Sequence, residues 1–127
     1  MEYALGFTCL NDVTARDLQK KDGQWTRAKS FDTFAPVGPW IADGLPHDQL
    51  RVEACVNRKG VQQGHTSQMI FSVPKLISYI SGIMTLFPGD IISTGTPQGV
   101  GPLKAGDVVE ILVEGVGVLK NSVVEES

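Results

Sequence analysis

Three prolines, Pro36, Pro39 and Pro46, punctuate the stretch WTRAKSFDTFAPVGPWIADGLPHDQ, residues 25 to 49. Proline fixes φ and lacks a backbone N–H, so no long regular element is expected through these residues. The same stretch carries Trp25, Phe31, Phe34 and Trp40. That apolar content predicts a loop packed down on the rest of the chain, and it confines the longer elements to the sequence on either side.

Before the loop, YALGFTCL predicts a short strand, and Thr14 with Asp17 three residues on matches a helix-start pattern. Gly23 is the expected stop. After the loop, Leu50, Val52, Ala54 and Val56 alternate with more polar residues and run into NRKG, the pattern of a hairpin. The clearest helix is SVPKLISYISGIMTL, with Ser72 as N-cap, Pro74 in the first turn and an apolar stripe of Leu76, Ile77, Ile80, Ile83 and Met84. The plain reading of that stripe is core. LFPGDIIST and LKAGDVVEI share a Gly-Asp step followed by β-branched residues, so each is expected to turn into a strand. EILVEGVGVLKNSVV predicts a closing hairpin, with Gly115 and Gly117 near its bend. The expected fold is a β-rich mixed α+β roll or sandwich with two short helices, residues 1–127 forming one domain.

Composition narrows the function classes. With a formal net charge of −3 and no basic run, the chain lacks the footprint of a nucleic-acid binder. No apolar run reaches the roughly 18 residues of a membrane span, and the first residues do not form a signal-peptide pattern; a cytoplasmic location is the default expectation. Cys9 and Cys55 stand apart in apolar surroundings, so each is expected to be a buried free thiol.

Three clusters are candidates for chemistry. Asp12, Arg16 and Gln19 have the i, i+4, i+7 spacing of one helix face. A carboxylate there can bind a hard cation, a guanidinium can fork onto a carboxylate, and an amide can bond a carbonyl. The ordinary alternative is a solvated Asp–Arg pair worth a few tenths of a kcal/mol. Lys29, in AKSFD, can present fixed positive charge to an oxyanion, or be a surface lysine. ISTGTPQGVG exposes the Thr94 hydroxyl beside glycines that let backbone approach a ligand, or is a plain turn. It is not a phosphate loop, because no Gly-Lys-Ser/Thr follows. His47 and His65 lie in separate loops with no nucleophile motif.

Taken together, NDVTARDLQ, AKSFD and STGTPQGVGP, in that order with HTSQMIFSVPKLISYIS between the last two, resemble the fumarylacetoacetate hydrolase family over essentially the whole chain. The resemblance implies that family's β-rich fold, a homodimer or partner chain, and no nucleic-acid or membrane partner. It implies Mg²⁺ or Mn²⁺, with Ca²⁺ as an alternative, and acylpyruvate, 1,3-dicarbonyl or oxo-dicarboxylic acid substrates, hydrolysed or isomerised through a metal-stabilised enolate. It assigns Asp12 to the metal, Lys29 to catalysis, and Arg16, Gln19 and Thr94 to the substrate. One departure stands out. The family's Glu-x-Glu pair upstream of the aspartate does not occur here: Glu110 and Glu114 are separated by three residues, and Glu125 and Glu126 are adjacent. The chain is therefore expected to be truncated at its N-terminal side relative to the family. Two expectations follow, an enzyme whose metal site is completed elsewhere, or a non-catalytic member acting as a binding or assembly subunit.

Overall fold

In the computed structural model, which describes residues 2–125, two antiparallel sheets carry the fold. The first pairs β1 (Phe7–Leu10) with β2 (Val37–Ala42), and the second has the order β4-β3-β5-β6, built from β3 (Arg51–Val56), β4 (Lys59–His65), β5 (Val108–Val113) and β6 (Gly117–Ser122). Three short helices complete it: α1 (Arg16–Asp22), α2 (Thr26–Lys29) and α3 (Val73–Ser81). The mixed α+β class expected from sequence holds, with the four-residue α2 as an additional helix.

Both expected hairpins form. Asn57 and Arg58 take φ of 52° and 67°, so a two-residue turn with two left-handed positions joins β3 to β4 and closes on the Val56–Lys59 pair. The β5–β6 hairpin closes at the Val113–Gly117 pair. Its buried tip residue Val116 packs with Cys9 and Leu119, and Phe7, Ala42 and Ile111 surround them. This small core joins the two-stranded sheet to the β5–β6 side of the four-stranded one.

Several sequence expectations are corrected. Residues 25 to 49 contain α2 and β2 as well as loop, and β2 runs through Pro39 after a cis Gly38–Pro39 bond. Proline is tolerated there because β2 has one neighbour and needs no second ladder of hydrogen bonds. The loop's tryptophans are not packed down: Trp25 and Trp40 are 59% and 60% exposed. LFPGDIIST forms no strand, since no edge pairs with it, whereas LKAGDVVEI does lead into β5. The apolar stripe of α3 is only part core. Val73 is buried and Leu76, Ile77 and Ile80 are half-buried, while Ile83 and Met84 fall beyond the helix and are exposed. Cys9 is buried, but Cys55 is half-buried; both are free thiols. Among the described residues, no helix is long and apolar enough to cross a membrane.

Candidate functional site

The site is assembled where β1 ends. Asn11 N donates to Pro36 O at 3.1 Å, which carries the β1–β2 pairing one residue further and leaves Asp12 on the next turn of chain. The Thr14 hydroxyl donates back to Asp12 O at 3.1 Å instead of capping the helix. Helix α1 consequently begins at Arg16, after Ala15 as an N-cap without a side-chain bond. Asp12 thus precedes the helix, and the expected three-residue face reduces to Arg16 and Gln19. The predicted stop is correct, with Gly23 in the left-handed conformation at φ 69°.

A backbone bond from Ala15 N to Ala28 O, 2.9 Å, together with full burial of Ala28, locks α2 against this turn. Lys29 follows Ala28, and its Nζ pairs with Asp12 Oδ2. The Lys29 ammonium also lies 5.9 Å from the centre of the Trp25 ring, within cation–π range. A positive charge is therefore held between a carboxylate and an aromatic face, with both members of the ion pair about 30% exposed (27% for Lys29 and 31% for Asp12). The expected solvated Asp12–Arg16 pair does not form. Arg16 Nη1 instead donates to Gln19 Oε1 at 2.6 Å, one helical turn on.

Asp12, Arg16 and Thr94 border a single broad trough of about 2380 Å³, lined largely by apolar side chains. Lys29 and Gln19 are not in its wall; each reaches it through its partner, Asp12 or Arg16. Typical small-molecule pockets are about 300–1,000 Å³, so a small acid at the polar residues would fill only part of this space. Thr94 is exposed and sits in a segment without regular structure. That segment is fastened to β4 by Gln62, whose Nε2 donates to Pro97 O at 2.6 Å. No sequence pattern marked Gln62, because its partner is 35 residues away.

The donor set is too small for a divalent cation. Among the described residues no three His, Cys, Asp or Glu side chains come together as a metal site. Asp12 offers a single carboxylate, and Lys29 already occupies its Oδ2. An octahedral ion needs more oxygen donors than this, so the residues of this chain do not by themselves fit the metal that the resemblance implies. His65, expected in a loop, instead ends β4 and caps the turn that follows: its Nδ1 accepts from Ser67 N at 3.3 Å, while its backbone N–H donates to Gln68 Oε1 at 3.1 Å.

Comparisons with known proteins bear on this geometry. The family model for the fumarylacetoacetate (FAA) hydrolase C-terminal domain matches residues 1–124. An uncharacterized protein of Methanocaldococcus jannaschii is 59% identical over 125 residues, covering 98% of this chain and 53% of its own length. The mitochondrial oxaloacetate tautomerase of Rattus norvegicus is 46% identical over 138 residues, covering 98% of this chain and 43% of its own. Among solved structures, 5-carboxymethyl-2-hydroxymuconate delta-isomerase from Mycobacterium smegmatis superposes with a TM-score of 0.98 at 49% identity, over 99% of this chain and 50% of that one. The chain spans about half the length of the relatives it matches.

Proposed function

This chain belongs to the fumarylacetoacetate hydrolase family, and from that premise we propose that it acts on small oxo-acids of the acylpyruvate, 1,3-dicarbonyl or oxo-dicarboxylic class, hydrolysing or isomerising them through an enolate. The observation that carries the proposal is the grouping just after β1 of Asp12, paired with Lys29, and Arg16, paired with Gln19, with Asp12, Arg16 and Thr94 lining the same broad trough. It is supported by the names of two similar proteins, a tautomerase of oxaloacetate and an isomerase of a hydroxymuconate.

Each residue has a physical role in this proposal. The Arg16 guanidinium takes a substrate carboxylate with its planar fork, and Gln19 holds that fork in place from one turn away. The Lys29 ammonium supplies positive charge where the enolate oxygen develops. The Thr94 hydroxyl donates to the substrate and fixes its remaining end, lowering the orientational cost of reaction. Mg²⁺ or Mn²⁺, when bound, would spread the enolate charge as a Lewis acid. Asp12 is the one ligand proposed for it in this chain, and binding requires oxygen donors from substrate, water or another polypeptide. A homodimer, or a partner chain seated over the apolar side of the trough, is proposed as the working assembly.

The second reading, a binding or assembly subunit without turnover, is favoured by one observation: Lys29 already occupies the carboxylate that would hold the ion. Calorimetric titration with Mg²⁺, alone and with oxaloacetate, separates the two. Saturable binding that requires the oxo-acid supports the enzyme; no heat at millimolar Mg²⁺ in either titration supports the subunit.

A further inference from the structure

Residues 91–103 have no helix or strand, and all but Gln98 line the trough. Among the described residues they make one hydrogen bond, the 2.6 Å donation from Gln62 Nε2 to Pro97 O. Two glycines allow the close approach on which that bond depends. A Cβ on Gly99 would lie 2.1 Å from Val61 O, and Gly99 has a φ of +104° that L side chains rarely adopt. A Cβ on Gly64 would lie 2.9 Å from the Pro97 ring. Val61, Gln62 and Gly64 all belong to β4, one of the two edge strands of the four-stranded sheet. The loop is thus held along Val61 to Gly64 of a strand that pairs on its other side with β3, with a bulge at Val61.

We propose that Gln62 is a positioning residue: its side-chain amide, clamping Pro97, sets where the Thr94 hydroxyl stands in the trough. The proposal rests on the assignment of Thr94 to the oxo-acid site. Gln62 itself need not touch substrate. Its action is to remove backbone freedom in advance, so that binding does not have to order the loop. The chemistry of the clamp is specific. Pro97 O is an acceptor, so position 62 must donate; an ionised glutamate of the same shape has no donor and repels the carbonyl, whereas a lysine can donate across the same gap.

The test compares wild type with Gln62→Glu, Gln62→Lys and Gly64→Ala, using backbone NMR order parameters for residues 94–101 and turnover of oxaloacetate. Gln62→Glu is expected to lower those order parameters from the rigid range, about 0.85, to below about 0.6. It is also expected to raise KM about tenfold with a smaller change in kcat. Gln62→Lys should recover most of both effects, and Gly64→Ala, which pushes on Pro97 from the same strand, should reproduce the loosening if Gln62→Glu does not fold. Unchanged order parameters in these variants would overturn the clamp. A loosened loop with unchanged KM would overturn its role in positioning Thr94. A wild type that does not turn over oxaloacetate, with the loop still loosened by Gln62→Glu, would leave the clamp standing and refute the oxo-acid site on which its function rests.

Discussion

Lys29 Nζ rests on Asp12 Oδ2, tying the end of α2 to the turn that follows β1. Two residues 17 apart in sequence therefore neutralise each other at the border of the trough. The pair sets an opposition that experiment can read: the ammonium that would stabilise an enolate also competes with a cation for the carboxylate.

Replacing Lys29 with Met separates those two effects. Divalent-ion affinity is expected to rise, because Asp12 loses its competitor, while turnover falls about 10²-fold or more through loss of charge at the developing oxyanion. Parallel Mn²⁺ titration and kcat measurement check it. A simultaneous loss of ion affinity and turnover would make Lys29 a support for Asp12 alone.

Arg16→Lys keeps the charge and discards the planar fork that Gln19 holds. KM for a dicarboxylic oxo-acid is expected to rise about tenfold, with kcat changed less, since the interaction is present before the chemical step. Steady-state kinetics on a dicarboxylic and a monocarboxylic substrate test the assignment. An equal effect on both would place Arg16 away from the second carboxylate.

The acid limb of stability is expected to depend on two half-buried carboxylates. The Arg27 guanidinium donates to both oxygens of Asp22, at 2.6 and 2.7 Å, and holds its carboxyl below the usual range. Asp107 is lowered first by the backbone N–H of Lys104 and then by the Asn57 amide, each at 2.8 Å. A carboxylate whose folded pKa is depressed stabilises the fold above its ordinary value of 3.8 and loses that contribution as pH falls through the folded value. Asp107→Asn should therefore flatten the fall of the urea midpoint below pH 3.8, with little change in slope above it. An unchanged acid slope would contradict the assignment.

The two cysteines are expected to differ sharply toward a thiol reagent. Cys9 is fully buried in the core beside Val116 and Leu119, and burial pushes its thiol pKa up despite backbone bonds that act the other way. Only the thiolate reacts readily, so Cys9 should label at the rate of global unfolding while the half-buried Cys55 labels first. Mass spectrometry of a labelling time course reads this directly, and equal rates would show that the core opens locally.

What the sequence made legible was local. The β3–β4 hairpin followed from alternation ending in NRKG, and Gly23 from its need for a positive φ. What it hid depends on distant partners. β2 was masked by Pro39 within it and Pro36 just before it, and only its pairing with β1, Cys9 opposite Gly38 and Leu10 opposite Val37, makes it a strand. The Asp12 helix face failed because the Thr14 hydroxyl bonds Asp12 O, starting α1 four residues after Asp12. The candidate residues were named from the joint order of three motifs. Their pairings were not: Arg16 with Gln19 replaces the expected Arg16 with Asp12, and Lys29 takes Asp12 instead.

Asp12 and its neighbours are proposed to form an oxo-acid site, with a divalent ion whose other donors lie outside this set of residues. The most direct measurement is oxaloacetate or acylpyruvate turnover by the protein with Mg²⁺, with chelator, and with Asp12→Ala. Saturable turnover that chelator removes and Asp12→Ala abolishes is the expected result. Turnover indifferent to both chelator and Asp12→Ala would contradict it.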